Sequence, residues 1–441
     1  MPVVRPFRAI RYDAEAVGDL GLVVAPPYDV IGQDEHRRLL ARSPHNVVRL
    51  DLPLPELGDA DADDKYRRAA HLLSAWRGEG AVRRDPRPSI YVYEQQFTRP
   101  GSDEPELRRG FFARVGLEPF GVGILPHERT LPGPREDRYR LLRATNVNTS
   151  PVVAIYRDAA GGVARLLAEI AAESPAIDIA DMVGERHRLW ILPAGTDGRA
   201  ELLADLASGS PLTIADGHHR YETALRFQAE RRVGSPADPD GESGFDFVLM
   251  LLLEEGAGPI VVLPTHRVVR GLGSQVVAEL RSLLAPLFEI EDGVPAARLI
   301  ESFGPGAAGA PIEGGRIGLW ARDGGMTLRA RRAAFEAILP AGGPAMRRLD
   351  VSLLGAALES ALGIDAAAVA AGFRLTYTKD AAEAIRLVDE HRDEADAAFL
   401  LDPTPAAEIV AVAAEGDVMP QKSTYIYPKA VTGLVINPLE G

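Results

Sequence analysis

Cysteine is missing from all 441 residues. That absence removes disulfides, thiol nucleophiles and Cys-ligated zinc or iron–sulfur clusters from consideration, and it agrees with a reducing compartment. Long apolar runs are missing too: the longest, residues 247–253, is far short of the roughly 20 residues that a membrane helix needs. The opening stretch MPVVRPFRAIRYD has no apolar segment after its basic residues, so no secretory leader is expected. The expected location is cytoplasmic, with no membrane partner. A basic surplus is also absent, since 49 Lys+Arg stand against 63 Asp+Glu for a net charge of −14. A general nucleic-acid binder needs a clustered basic surface to neutralise phosphates, so nucleic acid is not an expected partner. No internal repeat or low-complexity tail is evident.

What is present is an ordinary globular mix, 46% hydrophobic and 25% charged, and at about 150 residues per domain the length predicts two to four domains. Strands are expected over 3–10, 22–25, 46–52, 90–97, 110–118, 152–156, 188–192, 212–215, 247–253 and 260–263. Helices are expected over 33–42, 64–80 and 218–232, with an alanine-rich one between 156 and 188. Residues 127–138 read as a polar loop running into a helix at 138. This is an α/β (α+β) pattern. From Leu272 onward the texture turns Ala/Gly-rich, which makes Leu272 the candidate boundary, with a weaker one near Ala371.

The strongest local signal is LTIADGHHRYETAL, residues 212–225. A buried strand feeds a two-residue turn that opens directly into a helix, whose first N–H groups lack intrahelical partners and sit at the positive end of the dipole. Such a terminus binds phosphate. Gly217 lets backbone approach a ligand, His218 and His219 add donors, and Arg220 can hold an anion bidentately. Asp216 is placed either to cap the helix or to hold a metal ion bridging phosphates. The bland alternative is an ordinary strand–turn–helix with Asp216 as its cap.

Three further clusters carry chemistry. His127 and Glu128 open a run of charged and hydroxyl residues that ends at Arg138, a pairing able to poise an acid or base. Thr265, His266 and Arg267 follow a strand, where a hydroxyl, an imidazole and a guanidinium suit ligand contact. Met419 to Tyr425 places Lys422 beside two hydroxyls, suited to phosphate or to blunting a strand edge. Against each stands a plainer reading as a solvated turn, a strand exit or an edge. Trp76, Tyr91 and Tyr93 are expected in the core, and His187, like His36, His45, His71 and His391, shows no convergent partner.

The segment ADGHHRYETAL resembles the phosphate-binding box of the ParB/sulfiredoxin superfamily, nearest to the DGHHR motif of archaeal ADP-dependent free-serine kinases. APPYDVI, residues 25–31, resembles the first box of the same fold. The blocks VVAPPYDVI, HERTLPGPREDR, NVNTSPV, ADGHHRYETAL, LPTHRVV and MPQKSTYIYPK together resemble the bacterial family called domain of unknown function 1015. The resemblance implies a ParB/sulfiredoxin-like nucleotide-binding core over 1–271, split by an inserted region at about 53–205, and an additional C-terminal α/β domain over 272–441. Histidine stands where sulfiredoxin has its cysteine, which excludes that chemistry.

What the resemblance implies for function is a free L-serine kinase-like phosphotransferase, with Mg2+ and with ADP or ATP as donor. Asp29, His127, Glu128 and Asp216 are then the catalytic candidates, with Asp216 also the metal ligand. Gly217, His218, His219, Arg220, Thr265, His266, Arg267 and Lys422 would bind nucleotide, and Tyr28 and Arg138 the substrate. The other readings are a ParB-like nucleotide-gated regulatory protein without kinase activity and a nucleotide hydrolase. A homodimer is an open assembly.

Overall fold

A computed structural model describes residues 1–128, 132–234, 243–304, 315–370, 372 and 374–440. The architecture is mixed α/β. A nine-stranded sheet runs in the order Ile124–Leu125, Leu212–Asp216, Val152–Tyr156, Phe247–Glu254, Pro105–Gly116, Ser89–Thr98, Arg186–Pro193 and Ile177–Ala180, with Val4–Arg5 added to Pro105–Gly116. Strands from residues 53–205 thus share one sheet with the strand that precedes Asp216. The run Phe247–Glu254 is buried along its whole length. Because strand side chains alternate between faces, Val248, Met250 and Leu252 enter one apolar core while Leu249, Leu251 and Leu253 enter another.

A second, six-stranded antiparallel sheet has the order Phe288–Val294, Gly324–Ala330, Arg316–Ala321, Ala395–Leu401, His266–Arg270 and Leu375–Thr378. It begins at His266, six residues before Leu272, and Leu375–Thr378 forms its outer edge. One continuous cluster of buried side chains joins the two sheets, from Tyr93 and Phe112 through Val262 and Ile426 to Leu319 and Phe399. The C-terminal segment then returns to the first half of the chain. Tyr425–Tyr427 pairs with Val261–Leu263 and Asn437–Pro438 with Val147–Asn148, while Thr432 and Ile436 bridge to Ala25 and Ile10. The weak boundary near Ala371 falls on residues outside those described.

Three local expectations are corrected. Residues 46–52 form no strand: Val48–Asp51 is a helical turn. Asn46 explains the difference, since its side chain takes the N–H of Val48 and donates to the carbonyls of Leu22 and Val24, supplying the contacts that a strand neighbour would have made. For the same reason 22–25 is no strand but a 3-10 turn at Leu20–Leu22 followed by a single bridge at Ala25. The helix expected from 138 opens earlier, spanning Pro132–Thr145; proline is suited to a first turn, where its missing N–H is no loss. Among the described residues no helix is long and apolar enough to cross a membrane.

Candidate functional site

A cavity of about 560 Å³ lies where the two sheets and the returning C-terminal segment meet. Its walls come from six places: the turn at Tyr28–Val30, the pair His127 and Glu128, the mouth of the helix His218–Gly234, Thr265, the sheet edge from Leu375 to Lys379, and the segment from Lys422 to Lys429. The strand leading in is irregular, with a register shift between Ile214 and Asp216. Such a bulge re-aims the next side chain, and here that side chain is Asp216. The chain then turns at Gly217, whose φ of +88° belongs to the region that only glycine enters freely. A side chain there would also collide with the Arg220 guanidinium, whose Nε would lie 2.9 Å from the added Cβ. Arg220 and Tyr221 are the first residues whose N–H groups bond back, both to the Gly217 carbonyl, so the earlier N–H groups at this mouth have no intrahelical acceptor.

Asp216 is held between two cations. One oxygen is paired with Lys429 and the other accepts Arg220 Nη2 at 2.7 Å. Burial alone would raise its pKa, but Lys429 and Arg220 outweigh it and hold the carboxyl well below the usual range. Asp216 is therefore engaged at both oxygens, and it does not fit the expected role of metal ligand without releasing Lys429 or Arg220. Asp29, exposed at the Tyr28–Val30 turn, makes no hydrogen bond or ion pair among the described residues, which leaves it open to a cation.

His127 is buried and uses both ring nitrogens. Nδ1 donates to the carbonyl of Ile214 and Nε2 faces the Thr424 hydroxyl at 2.8 Å. The carbonyl requires a proton on Nδ1, and a ring kept neutral by burial then offers Nε2 as acceptor to the Thr424 hydroxyl. Burial pushes its pKa down to about 4. His218 is likewise held neutral by burial and by the neighbouring His127, and its Nε2 accepts the His127 backbone N–H at 3.2 Å. These two rings, 4.6 Å apart edge to face, brace the loop rather than sit poised to exchange protons. Glu128 differs. It accepts the Lys422 N–H at 2.9 Å, and burial pushes its pKa up to about 6.

Of the residues singled out in the sequence, Tyr28, Asp29, His127, Glu128, Asp216, Gly217, His218, His219, Arg220, Thr265 and Lys422 all line this one cavity. Three do not. His266 is fully buried in the second sheet, where Nδ1 accepts the Leu401 N–H at 3.2 Å. Arg267 is also buried and spends its donors on the carbonyls of Thr265 and Lys422, so it fixes two lining segments from behind. Arg138 lies under the Tyr28 ring, 3.9 Å from its centroid, and donates to the Asp51 carbonyl at 2.5 Å. Arg129 and Thr130 lie outside the described residues.

Lining residues to which the sequence motifs gave no role are Lys379, Lys429 and Tyr425, the last packed beneath both lysines at 3.9 and 4.7 Å. A compositional signal for them existed. The chain contains only four lysines among its 49 basic residues, and Lys379, Lys422 and Lys429 are three of them.

Residues 4–352 match the family described as protein of unknown function (DUF1015). The chain belongs to that family. Similar solved structures of this DUF1015 member are a conserved hypothetical protein from Pyrococcus furiosus (14% identity, 71% of this chain and 92% of that one, TM-score 0.33), a free serine kinase in complex with ADP (12%, 69% and 83%, 0.34), and SbnI with a C-terminal truncation from Staphylococcus aureus (13%, 74% and 87%, 0.34). No curated protein matches the chain.

Proposed function

We propose that this protein is a nucleotide-dependent phosphotransferase that acts on the hydroxyl of a small molecule, with L-serine as acceptor and ADP or ATP as donor. The observation that carries the proposal is the convergence of Lys379, Lys422, Lys429 and Arg220 on one cavity at a helix mouth, in a chain of net charge −14. Phosphoryl transfer asks mainly for positioning and for charge neutralisation around the transferred group, and these cations with the N–H groups at Gly217 supply both. Serine as acceptor rests on the resemblance of ADGHHRYETAL to the serine-kinase box. A magnesium ion arriving with the polyphosphate would neutralise charge there, and Asp29 is the carboxylate open to it.

In this reading Asp216 orients Lys429 and Arg220 rather than contacting the acceptor. Glu128 is the base: the acceptor oxygen attacks the terminal phosphorus, the bond to the leaving phosphate breaks, and Glu128 takes the hydroxyl proton. A carboxylate raised to about 6 by burial is largely ionised at neutral pH yet more basic than an exposed one. His127 and His218, both neutral and hydrogen-bonded, are positioning residues.

The deciding experiment follows phosphoserine formation from L-serine with magnesium and, in turn, ADP, ATP, CTP and pyrophosphate. Product from a single donor, absent in Asp216→Asn, is the expected result. Inorganic phosphate without phosphoserine would replace kinase with hydrolase, and tight nucleotide binding without turnover would favour the nucleotide-gated regulator.

Glu128 gives a further prediction. Its carboxyl is raised from 4.5 to about 6 in the fold, so the folded state binds the proton more tightly than the unfolded one. Stability relative to Glu128→Gln therefore falls as pH rises from about 4.5 and levels off above about 6. The shift corresponds to about 2 kcal/mol gained by the glutamine variant between pH 4 and pH 8, readable by urea unfolding at the two pH values. Over the same range the rate of phosphoryl transfer is expected to climb through pH 6 in the wild type, while the variant stays flat and low.

A further inference from the structure

Asp181 and Glu185, in the turn that joins strands Ile177–Ala180 and Arg186–Pro193, come together with His187 on the second of these strands. Each offers one ligand atom, and the three atoms lie within 4.8 Å of one another. His187 is 1% exposed, and its Nε2 lies at ion-pair distance from Asp181 Oδ2, 3.4 Å, yet meets no hydrogen-bond geometry among the described residues. Buried polar atoms are rarely left so. The other ring nitrogen is held by the Tyr93 hydroxyl at 2.8 Å, and the two rings stack at 11°.

The carboxylates are arranged in the same manner. Asp181 Oδ1 accepts the N–H groups of Val183 and Glu185 at 2.9 and 3.0 Å, while Glu185 Oε2 accepts Gln95 Nε2 at 2.8 Å. Each of the three side chains thus has one atom held by a donor or a hydroxyl. That outer ring of hydrogen bonds is what orients the ligands of a metal ion. Glu185 also lines a surface cavity of about 740 Å³.

We propose that Asp181, Glu185 and His187 bind a divalent transition metal of the zinc or manganese class, with water completing its coordination. One imidazole and two carboxylates match the N/O preference of these ions. The site also reaches the main cavity through its outer ring. Gln95 Nε2 donates to the Lys429 carbonyl at 3.1 Å, and Gln95 Oε1 accepts Arg108, which donates onward to the Pro428 carbonyl at 2.8 Å. A metal that fixes Glu185 therefore stiffens the backbone that carries Lys429.

The test uses the full chain stripped with a chelator and titrated calorimetrically with ZnCl2 alone and MnCl2 alone. One equivalent of either metal is expected, with affinity weakened at least 100-fold in both Asp181→Asn and Glu185→Gln, two partly exposed positions. Cobalt(II) is expected to give the visible bands of a bound ion in the wild type and to lose them in the same variants. No stoichiometric metal in the wild type, or binding that survives both substitutions, overturns the proposal; neither result depends on phosphotransferase activity.

Discussion

Replacing Lys429 with methionine is expected to lower the rate of the proposed phosphoryl transfer by at least about 10²-fold, the usual consequence of removing one charge-stabilising donor from a buried site, and also to destabilise the fold. Lys429 is largely buried, with 11% of its side chain exposed, and pairs with Asp216, which Arg220 alone would then hold. Breaking a buried ion pair by removing one partner costs about 3–5 kcal/mol, and the surviving Arg220 contact places this loss at the lower end. The two effects can be separated. In the double variant Asp216→Asn/Lys429→Met no buried carboxylate is left short of a partner, although Arg220 then faces an amide in place of a carboxylate, so urea unfolding should recover part of the stability. Transfer should not recover, because the phosphate would still lack its cation. A single variant within 10-fold of wild-type rate, or a double variant that regains activity, would reduce Lys429 to a structural role.

This site was half legible in the sequence, and the division has physical reasons. The Asp216–Arg220 mouth could be read because strand, turn and helix follow one another without interruption, so local chemistry predicts local geometry. His127 and Glu128 were legible as chemistry but not as roles: nothing local says that Nδ1 of His127 would face the Ile214 carbonyl, 87 residues away. His266 and Arg267 misled for the opposite reason. Adjacent strand residues point to opposite faces, and here both faces are covered, so both polar side chains are buried in service of the backbone. Lys379 and Lys429 arrive from an edge strand and a C-terminal return that no short-range pattern predicts; only the scarcity of lysine hinted at them. His187 is the same case, a histidine whose partners were visible only once the turn between its two strands had formed.

Substituting Gly217 with alanine should damage the site more than the fold. At φ +88° an alanine is strained, and such strain costs about 1–3 kcal/mol, a modest fall in melting temperature for a chain of this size. The larger consequence is geometric. The new methyl would stand 2.9–3.1 Å from Nε, Nη2 and Cζ of Arg220, and since that guanidinium is the far end of a flexible side chain, it is the group that yields. Moving it breaks the 2.7 Å contact with Asp216 and withdraws a cation from the helix mouth. Nucleotide affinity is therefore expected to fall by at least about tenfold, the 1.4 kcal/mol equivalent of one weakened charged contact, while the chain stays folded by circular dichroism. If the loss runs through Arg220, then Gly217→Ala combined with Arg220→Ala should bind no worse than Arg220→Ala alone. Additive losses would instead assign Gly217 its own part in binding, through backbone N–H groups that the alanine displaces.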